Sequence, residues 1–347
     1  MSTSSGAGTA TEPPAGPPPA APAARGKPGG GVAGAMLRNP TLGPLVALLV
    51  AIVVFSLTTD TFLDLDNISL VVQQSLVIAT LALGQTLIIL TAGIDLANAA
   101  IMVLGTLLMA KLATQGMLPI AALLIGIVVC TLWGAVSGAL VTRLRLPPFI
   151  VTLGLLTVIT AIGRLYSEGN SWPVTSELLG GLGTGSYLFG YFYVTPGMAL
   201  MVAMFVVCWY ALAHTAWGKH VYAVGNDPEA ARLTGISVNK TLFSVYVVAG
   251  FIYAIAAWQA LGRIPNADPN AFQTGNLDSI TAVVIGGTSL FGGRGGVWGT
   301  LVGAFIVAVL RSGLTQAGID SLYQDVATGI LVIAAVALDQ WARRRAL

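Results

Sequence analysis

The chain has 347 residues, 55% of them hydrophobic and only 9% charged, whereas soluble domains are roughly a quarter charged. Apolar runs of about 18 to 22 residues recur along most of its length, which excludes a soluble globular protein and indicates a polytopic membrane protein. The net charge of +2 gives no sign of a nucleic-acid partner, but the placement of the 16 Lys and Arg is informative.

Residues 1–38 form a Pro-, Ala- and Gly-rich tail, including EPPAGPPPAAPAARGKPGGG. Such a stretch buries too little apolar surface to offset ordering, so it is expected to be disordered. It lacks the apolar core and cleavage site of a signal peptide. Residues 39–347 read as an all-α membrane domain of about ten spans. The first five run near Leu42–Thr59, Leu70–Leu90, Leu96–Thr114, Pro119–Leu140 and Pro147–Leu165. The second five run near Pro196–Ala213, Leu242–Leu261, Ser279–Leu290, Val297–Leu310 and Leu322–Leu338.

With the tail inside, alternation places twelve of the 16 basic residues on the cytoplasmic side and both termini there too. The remaining four, Lys111, Arg164, Arg263 and Arg311, fall at outer span ends, where long side chains are expected to snorkel. The outer loop Ser167–Thr195 holds Glu168 and Glu177 and no Lys or Arg; a re-entrant segment and a surface helix plus loop both fit it. Cys130 and Cys208 lie inside apolar spans and read as small buried hydrophobes.

The chain looks doubled. Leu81–Leu108 is apolar, broken near Gly93, then apolar again, and Leu277–Leu310 repeats that shape with a break at Gly292–Gly296. Gly-interrupted segments at corresponding places in two halves suggest a transporter's broken helices. Close helix packing in lipid accounts for Gly as well.

The longest polar interlude between spans is 217–240, WGKHVYAVGNDPEAARLTGISVNK. Asn226 or Asp227 suits a helix N-cap, Pro228 the first helical position, Glu229 the positive end of the dipole and Gly235 a left-handed stop. A helix this short needs something to dock against. It reads either as a loop helix lying on its own protein or as a docking knob for a partner that moves the flanking spans.

Several chemistries are missing. No G-x-x-x-x-G-K-[ST] loop is present, so this chain is not expected to bind ATP in that manner. There is no HExxH, no Cys/His cluster and no G-x-S-x-G, so neither a metal site nor an enzyme is indicated. Asp95 is the one acid well inside the first half; it suits a cap after the Gly93 break, and an intramembrane carboxylate also suits ion binding. Asp278, just before the eighth span, reads the same way. Gln85, Thr91, Thr152 and Asn98, with Gln73, Gln74, Thr86, Thr157 and Thr160, either bond across helices or line a path for a neutral, hydroxyl-rich solute.

Four stretches, LALGQTLIILTAGIDL, LPPFIVTLG, YAVGNDPEAARLTGI and AVVIGGTSLFGGRGGVWGTLVGA, together resemble the permease subunits of bacterial sugar ABC importers of the ribose, xylose and fructose type, nearest to the fructose permeases. The resemblance covers about Leu42 to Ala342. It implies an inner-membrane importer with two permease copies in surrounding lipid, a cytoplasmic ATPase that carries the ATP, and a periplasmic binding protein that delivers a monosaccharide.

The resemblance carries the broken segment over to Gly93, Ile94 and Asp95, and the ATPase-coupling helix to Gly225–Gly235, with Asn226, Asp227, Glu229, Ala230 and Ala231 among its residues. Asn98 and Ala99 stand where many sugar permeases show Ser-Val-Gly after the Asp, which bears on the identity of the sugar. A branched-chain amino-acid-type ABC permease and an ion-coupled secondary carrier remain as rivals.

Overall fold

The computed structural model describes Ser2, residues 42–188 and residues 192–346. The tail at 1–38 therefore lies, apart from Ser2, outside the described residues. Ten helices take up the ten apolar segments: α1 (Leu42–Thr58), α2 (Leu65–Leu90), α3 (Asn98–Thr114), α4 (Pro119–Arg143), α5 (Pro148–Ser167), α7 (Pro196–His214), α10 (Val238–Arg263), α11 (Gly275–Ile285), α12 (Val297–Gln316) and α13 (Ser321–Ala346). Six of them, α2, α4, α5, α7, α10 and α12, are long and apolar enough to cross a membrane; α1, α3, α11 and the described apolar part of α13 are shorter.

Pro is built into the starts. Pro119, Pro148 and Pro196 occupy the first turns of α4, α5 and α7, where the missing N–H removes no helical bond. The remaining elements are two helices outside the apolar segments, the three-turn α8 (Ala216–Asn226) and the shorter α9 (Pro228–Leu233), a single turn α6 (Glu177–Gly180), and four short strands. Strand β1 (Trp172–Pro173) pairs antiparallel with β4 (Asn266–Ala267), and β2 (Ser186–Leu188) with β3 (Phe192–Val194). The all-α expectation is thus amended. The loop at 167–195 is a surface turn of helix with a hairpin, and it is sewn through β1 to the loop that follows α10.

The centre of the bundle is α2 crossing α10. From Ala79 to Leu90, α2 is buried on every side; α10 matches it with Tyr246, Ala249, Tyr253, Ala257 and Leu261. α10 also lies close against α4 because Gly134 and Gly250 meet at the crossing, with an added Cβ on Gly250 landing 2.8 Å from the Cys130 carbonyl. Small residues permit this backbone approach where lipid supplies no hydrophobic drive. Cys130 and Cys208 are buried and free.

Because α10 begins just after α9 and ends beside β4, the bundle has two distinct ends, roughly 39 Å apart along its 26 residues. One end carries α8 and α9; the other carries the β1–β4 pair.

Two side chains expected to snorkel are held inside the protein. Lys111 is only 7% exposed; its Nζ donates to the Tyr166 carbonyl at 2.6 Å, pairs with Glu168 at 3.2 Å, and sits 4.8 Å from the centres of both the Tyr166 and Trp172 rings. Arg311 pairs with Asp278 at 2.9 Å and with Asp325 at 3.4 Å. At membrane depth, an internal partner offsets desolvation more fully than a stretch to the headgroups.

Candidate functional site

Two runs of non-helical backbone, 91–97 and 286–296, interrupt the apolar helices, as the doubled pattern anticipates. They meet one another. The Gly293 N–H donates to the Leu90 carbonyl at 2.9 Å, capping the open C-terminus of α2 from the opposite half of the chain. The end of α8 is wedged into the same spot. A Cβ on Gly225 would run into the Leu90 carbonyl, and one on Gly292 would approach the Gly225 carbonyl to 2.6 Å. Tyr222 of α8 donates its hydroxyl to the Gly295 carbonyl at 2.9 Å.

This junction corrects one expectation. Gly225 is buried in the contact and does not face outward, so only the residues beyond it present a surface. The stretch 217–240 also folds as two helices and not one. α8 lies on the bundle, with Val221 and Val224 buried and the Trp217 indole N–H donating to Ser244 Oγ at 2.8 Å. α9 then projects from it.

The chemistry of α9 follows its sequence. Asp227, and not Asn226, is the N-cap: its Oδ1 accepts from the N–H groups of Glu229 and Ala230 at 2.9 and 3.0 Å. Pro228 opens the first turn. Glu229 pairs with Arg232 at 3.0 Å, both side chains being at least 70% exposed. Gly235 ends the helix at φ +86°, which suits Gly alone without strain. Ala231 is buried, while Ala230 and Leu233 are exposed.

The first break climbs from the junction into the bundle. Gly93 lies beside the Tyr246 hydroxyl, and Asp95 Oδ2 accepts from Tyr253 Oη at 3.1 Å. Between them α10 advances seven residues, roughly 10 Å. α3 therefore starts roughly 10 Å further along the bundle than the junction. Irregular backbone at such depth must be covered by protein, and it is: Asp95 is 1% exposed and Asn98 fully buried.

Asp95 is not the cap of α3, whose N-cap position is Ala97 with no side-chain bond. Its Oδ1 accepts from the Ala97 N–H at 2.8 Å, so it ties the break to itself and, through Tyr253, to α10. Asp278 is likewise no cap; it sits inside α11 and pairs with Arg311.

Of the polar residues expected along a path, Gln85, Thr86, Thr91, Asn98 and Thr152 are buried, Gln73, Gln74 and Thr160 are half-buried and Thr157 is exposed. With its amide turned to satisfy both partners, Gln85 donates to the Asp95 carbonyl at 3.0 Å and accepts from the Asp95 N–H at 3.2 Å. Asn98 Nδ2 donates to Ser279 Oγ at 2.7 Å, joining α3 to α11. Thr152 reaches from α5 to the Ile94 carbonyl at 3.0 Å, and Thr91 bonds back to Ile88. They close the middle of the bundle. Toward the β1–β4 end lie a cavity of about 130 Å³ against α3 and α5 and a second of about 100 Å³ against α2 and α12, while wider clefts of about 260 and 450 Å³ lie at the α8–α9 end. Among the described residues no three His, Cys, Asp or Glu side chains gather as a metal group would.

A family model described as branched-chain amino acid transport system / permease component matches residues 67–336. The chain belongs to this permease family. Its match spans both breaks, the α8–α9 projection and every helix from α2 to α12. As a permease and a carrier of six membrane-length apolar helices, it is an integral membrane protein.

Among curated relatives of this permease, a fructose import permease protein from Rhizobium meliloti is 41% identical over 313 residues, covering 88% of this chain and 87% of the relative. A ribose import permease protein from Bacillus subtilis is 38% identical, covering 86% and 92%. A galactose/methyl galactoside import permease protein from Escherichia coli is 33% identical, covering 87% and 95%. No solved structure matches.

Sequence reasoning missed Leu90, Tyr222, Tyr253 and Ser279, and it gave Arg311 no partner. An available signal was the pair of opposite charges, Asp278 and Arg311, at comparable positions in adjacent apolar segments. The others carry no local signal, because each acts through a partner far away in sequence.

Proposed function

We propose that this permease is the membrane-spanning subunit of an ATP-driven importer that takes a monosaccharide from a periplasmic binding protein. The observation that carries the reading is the exposed, capped α9 attached through Gly225 to both chain breaks. A rigid projection of this kind gives an external motor a handle on the two segments that must move. The sugar class follows from the relatives, whose names specify fructose, ribose and galactose/methyl galactoside import. That favours a sugar over a branched-chain amino acid, although the family description carries the latter name.

In this mechanism, ATP is bound by a cytoplasmic ATPase and not by this chain. Glu229, Ala230 and the neighbouring face of α9 dock into the ATPase, and closure of the ATPase displaces α8. The Leu90–Gly225–Gly293 junction passes the displacement to the break at 91–97, loosening the closed belt of Gln85, Asp95, Asn98 and Thr152. Two permease copies, each with ten spans and both termini in the cytoplasm of a bacterial inner membrane, enclose the path. Residues 39–347 form the permease domain.

The test is uptake of radiolabelled fructose, ribose and galactose into proteoliposomes holding the permease, its ATPase and its binding protein. ATP-dependent accumulation of at least one sugar is expected. Uptake driven by a proton or sodium gradient without ATP would overturn the reading.

A further inference from the structure

The two cavities near the β1–β4 end share a wall, and that wall is Phe272. The larger is bounded by Val103, Leu107, Ile159, Arg164, Gln273 and Asn276 among others. The smaller is lined by Gln74, Ser75, Arg263, Thr274, Asp278 and Arg311 together with aliphatic side chains such as Ile78 and Val307. Ligand pockets usually run to about 300–1,000 Å³, so neither cavity alone is of ligand size.

Three further observations bear on what would fill the joined space. First, Arg311 offers an unused donor: its terminal nitrogen bonds Asp278 and Thr274 at 2.9 and 3.2 Å, but its Nε is buried with no partner among the described residues. A buried donor left unpaired calls for an acceptor.

Second, Asn276 at the base of the larger cavity donates to the Leu96 carbonyl at 3.3 Å, so a ligand there would sit against the first break. Third, Phe272 has φ +53°, a left-handed conformation that a bulky residue adopts only under constraint. The constraint is a short turn, in which the Phe272 carbonyl accepts from the Gly275 N–H at 2.9 Å.

We propose that Phe272 is the outer gate of the permease: its ring parts two subsites, and its withdrawal joins them into one site for a neutral monosaccharide. The polar side chains supply donors and acceptors for hydroxyl groups, the ring supplies an apolar face, and the Asp278–Arg311 pair cancels one charge while Arg164 and Arg263 remain as further donors. The strained turn favours release of the ring once a ligand engages Asn276 and Arg311. This rests on the sugar-import reading above.

The test uses the full-length permease in proteoliposomes, alone and with its ATPase and binding protein. In the permease alone, in a background whose inner belt is opened by Asn98→Ala, passive monosaccharide leakage through Phe272→Ala should rise about tenfold, the factor that goes with ~1.4 kcal/mol of lost barrier. Phe272→Tyr should stay tight.

Phe272→Gly relieves the backbone while removing the ring, so it should fold at least as well as wild type and leak as Phe272→Ala does. A Phe272→Gly permease as tight as wild type would overturn the gate, as would equal leakage from all variants of equal thermal stability. If the wild-type complex imports no sugar while Phe272→Ala still leaks, the import reading fails and the gate stands.

Discussion

Leu90 closes α2 in the first half of the chain and Gly293 lies in the loop before α12 in the second, yet the Gly293 N–H donates to the Leu90 carbonyl at 2.9 Å. The C-terminus of one broken segment is thereby capped by the other, with Gly225 of α8 pressed against both. Any side chain at Gly225 must push this contact apart.

Gly225→Ala is the direct probe of that junction. Overpacking of a tight site typically costs about 1–3 kcal/mol. The variant should show a lowered melting temperature, and sugar-stimulated ATP hydrolysis in the reconstituted complex should fall further than stability alone accounts for. Unchanged stimulation would mean that the junction does not carry the coupling.

The face of α9 should govern energy transfer without governing insertion, because it lies outside the apolar helices. Glu229→Lys breaks the pair with Arg232 and reverses the charge near the helix N-terminus. Gly235→Val forces a Cβ into φ +86°. Both permeases should reach the membrane in normal amounts and lose the co-purifying ATPase or its response to loaded binding protein. Normal co-purification together with full uptake would make the stretch an ordinary loop.

Asp95 acts as an acceptor for Ala97 N–H and Tyr253 Oη. Asn offers one acceptor oxygen, so Asp95→Asn should keep most transport and assembly. Asp95→Leu leaves both donors unsatisfied, at about 1–3 kcal/mol for a buried group, and should reduce the yield of folded permease. Loss of transport in a well-assembled Asp95→Asn permease would require a charge-dependent role instead.

Asp278 is 2% exposed and faces Arg311. Removing Arg311 strands the buried Asp278, commonly at ~3–5 kcal/mol, whereas removing Asp278 leaves Arg311 its pair with Asp325 at a smaller cost. Arg311→Met should lower the melting temperature markedly and Asp278→Leu less so, and the double variant should recover much of the loss. Additive losses in the double variant would show that the two side chains act independently.

Placement of both termini on the cytoplasmic side is checked by single-cysteine labelling at positions 1 and 347 in intact cells. Protection from a membrane-impermeant reagent is expected at both. Labelling from outside at either end would force an odd number of spans.

The sequence alone determined where the ten apolar segments fall, where α9 is capped and stopped, and where the two breaks lie. Hydropathy, caps and Gly or Pro breaks act within a few residues, so they can be read along the chain. Tertiary structure alone decided what the polar residues in those segments do. Asn98 finds Ser279, Thr86 finds Thr300 at 2.7 Å, Asp95 finds Tyr253, and Arg311 turns inward to Asp278. A lone polar group in an apolar helix must be satisfied by whatever the packing brings beside it. Three of those partners come from the other half of the chain and Asp278 from the helix preceding that of Arg311, all chosen by how the helices cross and not by any local pattern.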